Sequence, residues 1–236
     1  MRKSIIWTAV GLWVVIGLSA CGGGGGGDAV PATPVGTPVN LSQIKNFEEA
    51  QTQGSTISFN VTGSIGTATN LTGVLSLAVT APTITSTPTG TQTINVLVQN
   101  VTITNPATGA SASATTTYYF FQTGFLFKIV HNDGTISTPT SQTLLPGSAK
   151  VGDSGADIVV SNSDGSTETS TWRIDPGTNG DAIFVYILTD RDNLNAVTET
   201  SEDAYTIKPD GSIAAVSTKF NDLTTGTDGT LSGNRN

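Results

Sequence analysis

The 236-residue chain contains one histidine and one cysteine, so few of its side chains could carry nucleophilic or metal chemistry. One candidate nucleophile is Ser154, in the stretch Gly-Asp-Ser-Gly at 152–155. A serine becomes a nucleophile only when a positioned base accepts its proton, and here that base would have to be His131. His131 lies 23 residues earlier, beside the Asn-Asp-Gly sequence of a predicted turn.

The Gly-Asp-Ser-Gly stretch resembles the motif around the catalytic serine of chymotrypsin-like proteases. That family continues with Gly-Pro, whereas this chain continues with Ala156-Asp157, and the family's Ala-Ala-His-Cys motif is absent. We therefore predict no catalytic residues and no enzymatic activity. We expect residues 145–157 to form an irregular crossing with local turn hydrogen bonds.

Two acidic stretches offer oxygen ligands at close spacing: residues 175–181 and the Asp-Arg-Asp-Asn sequence at 190–193. An EF-hand calcium loop needs an Asp/Asn ladder, then Gly and a distant Glu, and neither stretch supplies it. A single histidine and a single cysteine also cannot provide a zinc or copper ligand set. We predict no metal and no cofactor, and solvated hairpin turns at both stretches.

Aromatic residues are concentrated in the sequence YYFFQTGFLFKIV at 118–130. Both alternating faces of this predicted hairpin are apolar, so we expect both to be covered. The favoured interpretation is a central core hairpin. The alternative is a cavity for a lipid or another apolar ligand, lined by Tyr119, Phe121, Phe125 and Phe127. Trp172 is predicted to be a core residue.

Residues 1–20 have the pattern of a secretory signal peptide. Arg2 and Lys3 form a basic start, an apolar run covers 5–18, and small residues follow. Fourteen residues in a helix span roughly 21 Å, less than the ~30 Å hydrocarbon core of a bilayer. The segment is therefore predicted to be removed rather than to serve as a transmembrane span.

Leu18, Ser19, Ala20 and Cys21 resemble the lipobox of bacterial lipoproteins. The resemblance implies cleavage after Ala20 and lipidation of Cys21, which would anchor the chain to a membrane because each buried CH₂ contributes about 0.8 kcal/mol. In Gram-negative lipoproteins an Asp after the cysteine favours inner-membrane retention, and here Gly22 occupies that place. The resemblance therefore implies a cell-envelope protein, lipid-anchored in the outer membrane.

Removal of the signal peptide would leave 8 Lys and Arg against 18 Asp and Glu, a net charge of −10. An acidic chain without a basic patch is not typical of nucleic-acid-binding proteins. With Cys21 lipidated, no thiol would remain for a disulfide or for catalysis. We expect stability to come from an ordinary hydrophobic core.

The remaining chain divides into three predicted parts. Residues 21–39 form a Gly/Pro-rich tether, residues 40–223 a single β-rich domain, and residues 224–236, which lack an apolar pattern, a disordered tail. One short helix is predicted at 40–52, from Leu41, Ile44 and Phe47 at three-residue spacing, with Asn40 and Gln43 as a capping box.

Ten strands are predicted between Thr56 and Phe220, from Thr-rich alternation separated by Gly and Asp turns. Residues 81–90, with two prolines, are predicted to be a loop or sheet edge. A shift of apolar parity predicts a β-bulge near Gln99 and Asn100. The predicted fold class is all-β, a single antiparallel meander forming a curved sheet, a barrel or a sandwich.

The domain broadly resembles uncharacterised β-rich bacterial lipoproteins. We expect a non-enzymatic protein with an envelope structural role, or with a surface or periplasmic interaction role involving a protein or lipid partner. The alternative is a carrier or binding module that holds a lipid or another apolar ligand at the aromatic hairpin. A hydrolase is the least favoured interpretation.

Overall fold

The computed structural model describes residues 31–236. The predicted signal peptide, the lipobox and Cys21 lie outside these residues. Within them the chain forms an antiparallel β-barrel of twelve strands, closed on itself, with one short helix. The predicted all-β class is therefore confirmed, and of the predicted arrangements it is the barrel that forms.

The barrel strands follow one another around the wall in chain order, and two further short strands lie outside it. They are β2 (Thr56–Ile65), β3 (Ala68–Thr87), β4 (Gly90–Thr104), β5 (Ser111–Phe121), β6 (Leu126–Val130), β7 (Ile136–Gln142), β9 (Ser154–Asn162), β10 (Thr167–Pro176), β11 (Ala182–Arg191), β12 (Val197–Ile207), β13 (Ile213–Asp222) and β14 (Thr227–Arg235). Outside the wall, β1 (Pro38–Asn40) pairs with β8 (Ser148–Lys150). Helix α1 covers Ser42–Glu48.

The C-terminal residues form strand β14, so the predicted disordered tail is wrong. This strand pairs with β13 on one side and with β2 on the other, which closes the barrel. Leu231 points into the core and is 3% exposed, whereas the flanking inward positions are Gly229 and Gly233. A side chain at Gly229 would meet the ring of Phe220. Glycine at these inward positions removes the apolar alternation by which a strand is recognised.

Two mouths of the barrel differ in what covers them. We call the end that receives α1 the helix mouth, and the end with the turns at 131–135, 163–166, 192–196 and 223–226 the far mouth. Leu41, Ile44 and Phe47 of the α1 region are buried in the barrel core, as their spacing predicts. Gln43 Oε1 accepts a hydrogen bond from the Ile213 backbone N–H at 2.8 Å, which attaches α1 to the start of β13.

Two predictions about the N-terminal segment are wrong. The capping box does not form, because Gln43 bonds to Ile213 and Asn40 Oδ1 accepts from the Ser42 N–H. Residues 31–39 of the predicted tether are docked on the barrel. The Thr33 N–H donates to the Gly177 carbonyl at 2.9 Å, and its hydroxyl donates to the Asp181 carbonyl at 2.6 Å.

The β3–β4 hairpin extends beyond the barrel wall. Residues 81–90, predicted to be a loop or a sheet edge, continue the ladder as far as the pairing of Thr87 with Gly90. Pro82 lies in the register shift between Thr80 and Thr83, where it interrupts no regular pair. Most side chains of this extension are exposed, and Ile84 is 74% exposed.

The predicted bulge near Gln99 is also wrong, because β4 pairs with β3 and β5 in continuous register there. Asn95 and Gln99 occupy inward positions and are buried, so the inward face of β4 alternates polar with apolar side chains. The side chain of Gln99 accepts a hydrogen bond from the Tyr118 hydroxyl at 3.1 Å. Two buried amides, rather than an extra residue, account for the change of apolar parity.

The role of β14 can be tested by comparing two leucines near the C-terminus. Leu231→Ala should lower the free energy of unfolding by about 2–5 kcal/mol, because it leaves a cavity in the core. Leu223→Ala, at a side chain that is 51% exposed, should change it by less than about 0.5 kcal/mol. Urea denaturation measures both values. Equal effects of the two substitutions would contradict closure of the barrel by β14.

Candidate functional site

The barrel interior contains a cavity of about 70 Å³, which we call the interior cavity. It lies between the end of α1 and the middle of β10. One side is apolar and partly aromatic, lined by Tyr118, Phe120, Leu126 and Ile129 of the β5–β6 hairpin. The other side carries carboxyl and hydroxyl groups, from Glu49, Asp157, Glu168, Ser170 and Asp203, with Tyr186 and Leu188 on the intervening strand β11.

The apolar wall is formed by one face of the β5–β6 hairpin. Tyr118 and Phe120 alternate along β5 and point inward, with ring centroids 6.4 Å apart and planes inclined by 20°. Ile129 on β6 lies opposite Tyr118 in the ladder. These buried side chains make the hairpin part of the core, as the favoured interpretation predicts.

The four aromatic residues predicted to line a cavity lie on the outer side of this hairpin or at its turn, and they do not line the interior cavity. The Lys128 ammonium lies over the ring of Tyr119, 4.7 Å from the centroid, and the Phe121 and Phe127 rings are in contact at 5.5 Å. Phe125 is 42% exposed in the turn. Because both parities of the sequence are apolar, alternation alone could not identify the inward face.

The polar wall belongs to a group of inward-pointing acids on four consecutive strands of the wall. Glu168 on β10 lies directly opposite Asp190 on β11, which in turn lies opposite Glu199 on β12. Asp157 on β9 occupies the register shift beside Ser170. We call Asp157, Glu168, Asp190 and Glu199 the carboxylate cluster.

Burial and repulsion from nearby acids raise the pKa of every member of the carboxylate cluster. Burial, followed by the charges of Asp190, Asp157 and Glu199, raises the pKa of Glu168 well above its usual value. Burial and the neighbouring acids raise the pKa of Glu199 to about 8 and that of Asp190 to about 7. Burial raises the pKa of Asp157 to about 6, although its hydrogen bond with Ser170 acts in the opposite direction.

No cation pairs with the carboxylate cluster among residues 31–236. The ion pairs found there join Lys45 to Glu49, Lys208 to Asp181, and Arg173 to both Asp175 and Glu202. Three buried oxygens on the inner face of β12 and β13 also have no hydrogen-bond partner in this part of the chain: Glu199 Oε1, Ser201 Oγ and Thr218 Oγ1. Unpaired buried polar groups cost free energy, so these oxygens are places where a bound molecule or an ordered water would be stabilised.

On the next strand, β13, both carboxylate oxygens of Asp222 have hydrogen-bond partners. Its register partner on β12 is Glu199. Its two oxygens accept hydrogen bonds from the backbone and hydroxyl groups of Thr224 and Thr225, at 2.6–3.1 Å. Burial alone would raise the pKa of Asp222, but these hydrogen bonds outweigh it and lower the pKa. The carboxylate cluster proper therefore ends at Glu199.

The structure does not bring Ser154 and His131 together. Ser154 begins β9 opposite Arg173, towards the helix mouth, whereas His131 follows β6 at the far mouth. His131 Nε2 instead lies 2.6 Å from Ser137 Oγ. Burial lowers the pKa of His131, against the raising effect of Asp133 and Asp164. Ser137 is only 1% exposed, so a substrate has no access to its hydroxyl.

The two acidic stretches separate into turn residues and buried residues. Asp192 caps its turn by accepting from the Leu194 and Ala196 N–H groups at 2.9 Å, as a hairpin turn predicts. Asp190 points into the barrel and Asp181 is buried, so the prediction that these stretches are solvated holds only in part. Within 31–236, no group of three or more His, Cys, Asp or Glu residues is arranged to hold a metal ion.

Sequence reasoning missed the carboxylate cluster, although one signal was present. In the β10 sequence TETSTWRI, Glu168 and Ser170 share the parity of Trp172, which is 8% exposed and stacks on Phe184 at 6.1 Å. The core position of Trp172 confirms its prediction. It also implies that a glutamate four residues earlier on the same strand faces inward.

The carboxylate cluster should make stability fall as pH rises. Because the pKa of Glu199 is about 8 in the fold and about 4.3 in an unfolded chain, the folded protein binds more protons between these values. The free energy of unfolding should therefore decrease by more than about 1 kcal/mol between pH 5 and pH 9. Glu199→Gln should flatten this dependence and stabilise the barrel at pH 9, measured by urea denaturation.

Asp228→Asn provides the matched control, since Asp228 is exposed on β14. It should leave the pH dependence of the free energy of unfolding unchanged. A wild-type barrel that gains stability between pH 5 and pH 9 would contradict the raised pKa values.

Comparisons with protein families, with curated proteins and with solved structures found no match for this chain. In the described part, the helix α1 has 7 residues, and no helix is long and apolar enough to cross a membrane. The function must therefore be argued from the interior cavity, from the carboxylate cluster and from the sequence that precedes residue 31.

Proposed function

We propose that this chain is a lipid-anchored, non-enzymatic envelope protein whose barrel binds a small molecule in the interior cavity. The observation that carries the proposal is the composition of that cavity. An aromatic wall at Tyr118 and Phe120 faces the carboxyl groups of Asp157 and Glu168, and no cation of the described chain neutralises those two groups.

The buried carboxyl groups favour a binding role over a purely structural one. A carboxylate taken out of water loses several kcal/mol of solvation, and packed apolar side chains of similar size are often as stable or more stable. A barrel needed only as a scaffold would gain stability from such a replacement at Glu168. Groups with strongly raised pKa values that border a cavity are characteristic of functional sites.

The size of the cavity favours a small ligand rather than a lipid. At roughly 10–15 Å³ for each water-sized position, about 70 Å³ has room for about five to seven positions. Sites for drug-sized ligands enclose about 300–1,000 Å³, and an acyl chain needs comparable space. A hydrolase would also have to hold a scissile bond and an attacking water together, so the volume favours binding without catalysis.

The anchoring part of the proposal is supported by the lipobox resemblance and by the docking of residues 31–39 on the barrel. The docked segment begins ten residues after Cys21, and at about 3.3–3.6 Å per residue this stretch could reach at most about 36 Å. The barrel would therefore stay close to the membrane surface. Gly22 after the cysteine supports the outer membrane as its location.

Lipidation can be tested by metabolic palmitate labelling in a Gram-negative host. The wild-type chain should incorporate label, and Cys21→Ala should lose it completely because no other cysteine is present. Gly22→Asp is the matched control: it should retain the label and shift the protein to the inner-membrane fraction. Label that persists in Cys21→Ala would overturn the anchoring proposal.

Binding can be tested with two probes of five non-hydrogen atoms each, n-butanol and n-butylamine. Saturation-transfer NMR on the purified, unlipidated protein (Cys21→Ser, without residues 1–20) should detect at least one of them. With at most about 1.5 kcal/mol per non-hydrogen atom, binding should be micromolar or weaker. Ile129→Phe, which fills the cavity, should abolish the signal, whereas Leu223→Phe at the surface should not. A failure of both probes to bind would overturn the binding role.

A further inference from the structure

We propose that the ligand of the interior cavity is a small primary amine, whose ammonium group lies against Asp157 and Glu168 while its apolar part packs on Tyr118 and Phe120. This inference rests on the binding function proposed above and names the chemical class of the ligand. It is carried by the charge of the cavity wall, by unpartnered oxygens beside it, and by the apolar wall opposite.

The ionisable groups of the cavity wall are mostly acidic. Four carboxyl groups line the interior cavity, from Glu49, Asp157, Glu168 and Asp203. Lys45 pairs with Glu49, and the ion pairs of the described chain place no cation against Asp157 or Glu168. A ligand that carries a carboxylate or a phosphate would be repelled, whereas a cation would relieve the repulsion among acids on neighbouring strands.

The inner face of β12, beside the cavity, has polar oxygens that lack hydrogen-bond donors within the described chain. Glu199 Oε1 and Ser201 Oγ lie on the inner face of β12, beside the row that runs from Glu168 through Asp190 to Glu199. Glu199 is 8% exposed and Ser201 is 3% exposed, and neither of these oxygens has a partner among residues 31–236. An ionised carboxylate oxygen can only accept, so a partner that keeps Glu199 ionised must be a donor. An ammonium group offers three donors and no acceptor.

The spacing of the acidic side chains favours an amine over a metal ion as the ligand. Magnesium and calcium require several oxygens converging on one point at about 2.0–2.6 Å. No group of three or more acidic, His or Cys side chains in 31–236 has that arrangement. Cross-strand neighbours in the cluster belong to strands about 4.8 Å apart, which spreads their carboxyl groups along the wall. Hydrogen bonds from one ammonium group tolerate such spacing.

The apolar wall of the cavity can hold the hydrocarbon part of an amine. The Tyr118 and Phe120 rings, with Ile129, form an uncharged surface on the β5–β6 side of the cavity. A chain of about four carbon atoms fills the space that the ammonium leaves, given room for about five to seven atoms. Aromatic rings also attract cations, so the wall accommodates both ends of a short amine.

The test compares n-butylamine with its neutral isostere n-butanol at pH 7.5, by NMR titration of the unlipidated protein. We expect the amine to bind at least tenfold more tightly than the alcohol. Glu168→Gln, which keeps the shape and cannot ionise beside a bound ammonium, should reduce the preference to less than threefold without weakening butanol binding. Asp228→Asn, at an exposed acid, should leave the preference unchanged.

The outcomes separate the two proposals. Equal or tighter binding of butanol by the wild type would overturn the amine while preserving the binding function, and failure of both probes would overturn both. A preference that survives in Glu168→Gln would overturn the position of the ammonium group. If Glu168→Gln does not fold, as judged by its thermal transition, Asp157→Asn takes its place with the same expectation. Tighter binding of magnesium than of butylamine would overturn the choice of an amine over a metal ion.

Discussion

The hydrogen-bonded ladder between β14 and β2 joins the last barrel strand to the first, with Phe59 opposite Arg235 and Ile65 opposite Gly229. Without this ladder the wall would be an open sheet, with two exposed edges and one apolar face in water. With it, inward side chains from every strand of the wall except β7 contribute to one hydrophobic core. The interior cavity and the carboxylate cluster can be shielded from solvent only because the wall is closed.

The same closure explains why the carboxylate cluster is an electrostatic burden on the fold. Antiparallel pairing places Glu168, Asp190 and Glu199 at one level of the wall, so their charges cannot move apart without a change of register. Asp222, the next residue at this level, avoids the problem through hydrogen bonds from Thr224 and Thr225. The apolar core, from Leu41 to Leu231, must outweigh the remaining repulsion. Such a balance is expected where a site serves binding rather than stability.

Much of the fold could be predicted from alternation and turn chemistry, because those signals are local. All ten predicted strands are present, and the α1 region buries the apolar residues whose spacing predicted it. The strands that were missed each lack the usual pattern. β7 contains Pro139 at a register shift, and β14 has glycine at two inward positions. Their pairing depends on partners far away in the chain, which no local window contains.

Only the aromatic half of the candidate site could be predicted from the sequence. That prediction chose the outer face of the hairpin, whereas the inner face lines the cavity. Which face of the sequence at 118–130 turns inward depends on register with β4, where Tyr118 lies opposite Leu97. The polar half requires the neighbours of Glu168 in space, and those come from three other strands. Cross-strand proximity of like charges has no local sequence signature, although the parity of Trp172 was available as a guide.

The ladder between β2 and β14 also governs the order in which the protein can be built. Asn236 bonds to Ser58 across 178 residues of sequence, and the strand before it meets β2 over similar separations. Contacts so distant in sequence form slowly, because a long loop must close before any pairing compensates for the lost entropy. An N-terminal export and anchoring signal would therefore act on a chain whose wall is still open. The wall is complete only when β14 pairs with β2.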